Sequence, residues 1–169
     1  MSATIEKRPV HPVRLSRHWF GVLLTAAFAA CLAAPGAFGA DGEKPYTVNA
    51  DGKVNWPTFS GYRRYHSECH VCHGPAGLGS SFAPNLLDSL KRLSYEQYLE
   101  VVVNGRVNVN TAVQNVMPGF ATNLNVMCFV DDIYTYLVAR SDGAIGMERP
   151  QHTGKTPEAA ENEKACFGH

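Results

Sequence analysis

Cys69, Cys72 and His73 stand in the run Cys69-His70-Val71-Cys72-His73, a spacing that suits one chemistry above others. Two thiols a helical turn apart can each add to a vinyl group on one edge of a porphyrin. The histidine that follows then brings an imidazole to the iron as its proximal ligand. The rivals need different surroundings. A zinc site wants a second close pair, but Cys128 and Cys166 lie 38 residues apart and far from the first two. A thioredoxin-like dithiol wants a βαβ pattern around it, whereas these flanks read as helix and glycine loop.

Met117-Pro118-Gly119-Phe120 is the second informative spot. A low-spin haem that passes electrons commonly takes a thioether as its other axial ligand, which raises its potential relative to two imidazoles. Pro118 stiffens the loop that would present the Met117 sulfur. Met127 and His152 are the alternatives for that position, and a lone methionine can also be core filler. Between the two lies Ala83-Pro84-Asn85-Leu86, where a backbone carbonyl can orient His73 through its second ring nitrogen.

The elements that must position these residues read as helices. Thr58 to Glu68 runs into the cysteine motif, with Gly61, Tyr65 and Cys69 on one face, and Gly61 would let another helix approach closely. Gly74 to Ser81 is a glycine-rich loop that lacks the lysine and strand of a phosphate-binding loop. Ser94 with Gln97 fits a capping box opening a helix to Asn104, striped by Tyr95, Tyr98, Leu99 and Val102. Arg106 to Val116 has no helical period and reads as loop. Met127 to Arg140 is the last helix, with Phe129, Ile133, Tyr136 and Leu137 on its apolar face. From Ser141 onward Gly, Pro and charge predict an irregular, exposed tail. No stretch alternates like a sheet, so the fold class is all-α.

The 169 residues carry 15 basic and 15 acidic side chains and are 45% hydrophobic, which excludes a disordered chain and a bulk nucleic-acid binder. The early positive charge has another use. Lys7, Arg8, Arg14 and Arg17 precede the uncharged run Trp19 to Ala34, and Pro35-Gly36 and small residues follow. That is the layout of an export signal over 1–39, cut near Gly39. A membrane anchor is the alternative, but about 16 residues fall short of the ~20 needed to span a bilayer. Lipoprotein processing at Cys31 is another, without the usual aliphatic residue three positions before. The rest divides into a lead-in over 40–56, a helical domain over 57–140 and the tail over 141–169, with no membrane span. From Ala40 onward 11 basic and 14 acidic residues give 11 − 14 = −3, which predicts partner encounters that respond to ionic strength. In an oxidising compartment Cys128 and Cys166 are most simply a disulfide that ties back the tail; a free buried thiol is the alternative for Cys128.

Together these residues resemble the class I cytochromes c. The pattern Gly61-x3-Tyr65-x3-Cys69-x2-Cys72-His73, then Pro84-Asn85-Leu86, Met117-Pro118 and Tyr136-Leu137, is similar to that family over roughly 57–140. The stretches 61–75 and 125–137 and the four-cysteine count look like the methanol-metabolism-related members. The resemblance implies first and last helices crossing at Gly61 and Tyr136 and one haem c held by Cys69 and Cys72. It also implies His73 and Met117 on the iron, and Pro84 bonded to His73. Tyr65, Tyr98, Leu99, Phe120 and Tyr136 would exclude water from the porphyrin. It further implies a periplasmic electron carrier without substrate turnover of its own. Electrons would come from a pyrroloquinoline-quinone methanol or alcohol dehydrogenase and leave to a downstream cytochrome or oxidase. A haem sensor or small-ligand haem enzyme, with an open distal site, is the alternative, as is a disulfide oxidoreductase using Cys69 and Cys72.

Overall fold

The computed structural model describes residues 43–109 and 114–168; the export-signal reading of 1–39, with Cys31, lies outside the described residues. Helix α1 (Trp56–Glu68) starts with Pro57 in its first turn, where a missing N–H costs nothing. After Cys69 one further turn follows, α2 (His70–His73). Helix α3 (Leu86–Leu90) is opened by the Asn85 side chain, which accepts from the Leu87 and Asp88 amides. Helix α4 (Tyr95–Asn104) opens on the full capping box of Ser94 and Gln97 and ends at Gly105.

The frame is the crossing of α1 with α6 (Val130–Ser141). Gly61 lies against the α6 backbone at Asp132, and a Cβ added there would also come within 2.9 Å of Tyr136 Cβ. The crossing expected from Gly61 and Tyr136 is therefore present. Tyr65, Tyr98, Val102, Val126, Ile133, Tyr136 and Leu137 form one buried cluster beneath it.

Four expectations need correction. The stretch Arg106 to Val116 is not all loop: β1 (Arg106–Val109) and β2 (Gln114–Met117) pair antiparallel, with Val107 opposite Val116 and Asn108 opposite Asn115. Valine and asparagine alternate here with the period of a strand, over too few residues to stand out. The last helix is broken, with α5 (Leu124–Met127) capped by Asn123 and α6 resuming after Cys128 and Phe129. Helix α3 was not expected, although Leu86, Leu90 and Leu93 are spaced as an apolar stripe. The tail is not irregular throughout, since it carries α7 (Pro157–Phe167), opened by Thr156 and Pro157 and closed by Gly168 in the left-handed conformation.

Helix α7 has no apolar face to betray it, and no residue in it is buried. Side-chain ties hold it instead. Cys128 and Cys166 form the expected disulfide, the Phe129 and Phe167 rings lie 5.8 Å apart, and Arg64 reaches Glu163 at 3.4 Å. Upstream of α7 the tail also returns to the lead-in, where His152 bridges to Val54 and stacks on Phe59 at 3.9 Å.

Candidate functional site

Helix α1 delivers Cys69 at its C-cap, and the turn of α2 then carries Cys72 and His73. The Cys69 and His73 side chains, four apart, share a face, and the His73 amide bonds the Cys69 carbonyl at 3.0 Å. Cys69 is half-buried, Cys72 is exposed, and both are free thiols. Burial pushes the Cys69 thiol up to about 12, with Glu68 and Cys72 adding to the rise. The motif sits at the end of α1 and in the turn of α2, followed by a glycine loop, without the strand-helix-strand frame of a thioredoxin-like dithiol.

His73 is buried, and its Nδ1 lies 3.1 Å from the Pro84 carbonyl oxygen. With Nδ1–H donating to that carbonyl, Nε2 keeps its lone pair for a metal. Burial lowers the pKa of the ring, against a smaller opposing pull from Pro84, so the neutral, ligand-competent form is favoured. The loop between them is sewn to the motif. Gly79 N–H donates to His73 O and Leu86 N–H to Gly77 O, each at 2.8 Å, while Ser80 Oγ donates to the Cys72 carbonyl. Gly79 must be glycine: its φ is +86°, and a Cβ there would lie 2.7 Å from the Asn85 nitrogen. From behind, the Tyr65 hydroxyl donates to Gly74 O and the buried Arg140 guanidinium reaches Ala76 O at 3.4 Å.

These elements surround an apolar cleft that opens to solvent. Cys69 and His73 line it from the motif, Leu86 and Leu90 from α3, and Tyr98 and Val102 from α4. Met117 and Phe120 line it from the end of the ribbon, where Phe120 N–H holds Val102 O at 2.9 Å, and Ile133 and Leu137 close it from α6. Tyr65, Leu99 and Tyr136 do not line the cleft; they stand behind its wall, so the water-excluding surface differs from the expected set. The leucines of α3 are the lining residues that sequence reasoning missed. Of the alternative distal donors, Met127 packs against the core and His152 sits on Phe59, and neither lines the cleft.

An apolar cleft lined by one imidazole, one thioether and the Cys69 thiol, with Cys72 on the adjoining turn, has the donor set for a macrocycle whose iron accepts nitrogen and sulfur. Among the described residues no group of three or more His, Cys, Asp or Glu could hold a bare metal ion. The donor set suits iron already carried in a porphyrin.

Similarity to known proteins gives the family. Cytochrome c-553I of Paracoccus denitrificans is 48% identical over 123 residues, which are 72% of this chain and 54% of that protein. Cytochrome c-555 of Methylococcus capsulatus is 43% identical over 102 residues, 58% of this chain and 76% of its own length. Among solved structures, the crystal structure of the c-type cytochrome XoxG from Methylobacterium extorquens AM1 superposes with a TM-score of 0.62 at 46% identity. That match covers 75% of this chain and 84% of the other. No protein-family model matches the chain. The chain spans about half the length of the Paracoccus protein. It belongs to the class I c-type cytochromes, whose cofactor is covalently bound haem.

Proposed function

We propose that this protein is a periplasmic monohaem electron carrier that takes single electrons from a pyrroloquinoline-quinone methanol or alcohol dehydrogenase. It would pass them to a downstream cytochrome or oxidase. The observation that carries the electron-transfer reading is the apolar cleft lined by Cys69 and buried His73 from the motif and by Met117 from the end of the ribbon. Haem bound there supplies one-electron chemistry between ferrous and ferric iron. The chain's own residues do the rest. Cys69 and Cys72 are the thiols that would anchor the vinyl edge, each adding across one vinyl double bond. His73 Nε2 is the proximal donor, and the Pro84 carbonyl fixes its ring. Met117 is the distal donor; a bound thioether closes the position that a sensor or small-ligand enzyme would need open. Leu86, Leu90, Tyr98, Val102 and Phe120 keep water from the site, which limits reorganisation on electron transfer.

The donor assignment rests on the likeness of 61–75 and 125–137 to the methanol-related members. The periplasmic reading rests on the charge layout of the first 39 residues and agrees with the Cys128–Cys166 disulfide, which an oxidising compartment permits. Stopped-flow mixing of the oxidised protein with a quinoprotein methanol dehydrogenase and methanol tests it. The ferrous spectrum should appear at the pace of dehydrogenase turnover. If it stays ferric while dithionite reduces it fully, the donor is another protein.

A further inference from the structure

Arg140 is the one Lys, Arg, Asp or Glu residue that is buried among the described residues, at 8% exposure. Burial of a charge is ordinarily accompanied by an ionic partner. Arg140 has none among the described residues, where the ion pairs join Lys44 to Asp142, Arg64 and Lys155 to Glu163, and Lys91 to Asp88. Backbone oxygens alone hold the guanidinium. Nη1 donates to Ile145 O at 2.7 Å and Nη2 to Ala76 O at 3.4 Å, while Nε is buried with no partner. The group stands behind the proximal side of the cleft. Ala76 is three residues past His73, and Leu137, one turn before Arg140 on α6, lines the cleft. The Tyr65 hydroxyl donates to the carbonyl of Gly74, next to His73. Burial raises the Tyr65 and Tyr136 hydroxyls, Tyr136 to about 12, and the Arg140 charge pulls against the rise in both.

We infer that Arg140 sets the reduction potential of the haem iron, its buried and uncompensated positive charge behind the His73 loop favouring the ferrous form. This rests on the reading of the cleft as the haem site. With a neutral imidazole and a neutral thioether as axial ligands, oxidation leaves the centre one unit more positive. A fixed cation opposes that change, and inside the protein its field is weakened far less than in water. The same burial keeps dissolved ions from screening it. Packing does not call for an arginine here, because an apolar side chain of similar volume commonly replaces a buried charge at no loss of stability. A purely structural arginine, tying the glycine loop to the end of α6, would make the same bonds, but the iron would not respond to its charge.

Spectroelectrochemical titration of the haem-loaded protein tests this without any dehydrogenase. At an ambient potential fixed at the wild-type midpoint, Arg140→Met should lower the ratio of ferrous to ferric protein at least about threefold, which is about 28 mV at 59 mV per tenfold for one electron. Arg140→Lys, which keeps the charge and loses the fork of bonds, should stay within about twofold of wild type. Lys53→Met, which removes an exposed cation from the lead-in, should also stay within about twofold. The Arg140→Met shift should persist between about 0.01 and about 0.1 M salt, as a buried charge requires. A shift no larger than that of Lys53→Met overturns the inference, as does an Arg140→Lys shift equal to that of Arg140→Met. If Arg140→Met does not retain haem, Ile145→Glu decides the matter. It sets a carboxylate on the half-buried residue whose carbonyl Arg140 holds, so the ratio should fall with the guanidinium still present, and an unchanged ratio overturns the inference. Absence of a haem spectrum in the purified wild type would instead refute the cleft's assignment, and failure of the methanol dehydrogenase alone would touch only the donor.

Discussion

Gly61 and Asp132 meet backbone to backbone: a Cβ built at Gly61 would overlap the Asp132 carbonyl oxygen. That contact sets how closely α1 approaches α6, and so how Cys69, at the end of α1, stands relative to the Ile133 and Leu137 wall of the cleft. The obstacle is main chain, which cannot swing aside as a side chain could. Gly61→Ala should therefore cost more than the ~1–3 kcal/mol usual for overpacking, or prevent folding. Urea denaturation of the haem-loaded protein checks the size. Gly143→Ala, at a glycine with nothing within 4 Å but a φ of +71°, should show only the smaller cost of backbone strain.

The disulfide does for α7 what a buried face does for the other helices. Replacing Cys128 and Cys166 together by serine opens a 38-residue loop, and chain entropy predicts a loss of ~3–4 kcal/mol. Because no α7 residue is buried, the loss should be local as well as global. Amide hydrogen exchange should rise across Pro157–Phe167 while the haem spectrum is unchanged. A bleached or high-spin spectrum in this variant would mean that the tail supports the site itself.

Asp132 gives a pH signature. Burial raises its carboxyl to about 6 from an ordinary 3.8, outweighing the Ser60 hydrogen bond and the Arg64 charge, with Asp131 and Glu163 adding to the rise. Below the unfolded value both states hold the proton and the group costs nothing. As pH rises through 3.8 toward 6 the unfolded chain ionises first, so stability contributed by this group is lost and stays lost at pH 7. Asp132→Asn should flatten that slope and stabilise the protein at neutral pH by ~1–2 kcal/mol, after allowance for the partial exposure of the side chain. Denaturation midpoints of both proteins between pH 4 and 7 decide it; parallel curves would contradict the account.

Pro84 acts through its carbonyl, so the informative change is to the ring it holds. His73→Ala should abolish iron ligation on the proximal side and leave a protein with little soluble haem. Deleting the constraint through Gly79→Val should be nearly as damaging, because the side chain would collide with Asn85 N and carry the Pro84 carbonyl away from His73 Nδ1. Pyridine haemochrome content per protein measures both. Full haem content in Gly79→Val would refute the coupling of loop and ring.

How much of this was legible beforehand follows from physics. The Ser94–Gln97 box, the Gly61 crossing and the Cys128–Cys166 pair declare themselves locally, by capping chemistry, by the one residue without a Cβ, and by cysteine count. Helix α7 and the 106–117 ribbon did not. The first is stabilised by a covalent tie and caps rather than by an apolar stripe, and the second is only four residues on each side. In the site, the motif residues were readable because covalent chemistry fixes their spacing. The lining was not: Tyr65 and Tyr136 were expected on the cleft wall and lie behind it, while Leu86 and Leu90 of a five-residue helix took their place. Long-range packing decides that substitution, and local sequence does not encode it.

The central claim is that His73 and Met117 share one iron in a carrier of single electrons. It is tested most directly by the visible absorption spectrum of the purified protein, oxidised and reduced, with and without Met117→Ala. The account predicts sharp low-spin bands in the reduced wild type and a weak thioether-to-iron band in the oxidised form, the latter lost in the variant. A high-spin spectrum that the substitution leaves unchanged would contradict it, and would mean that the iron keeps an open position.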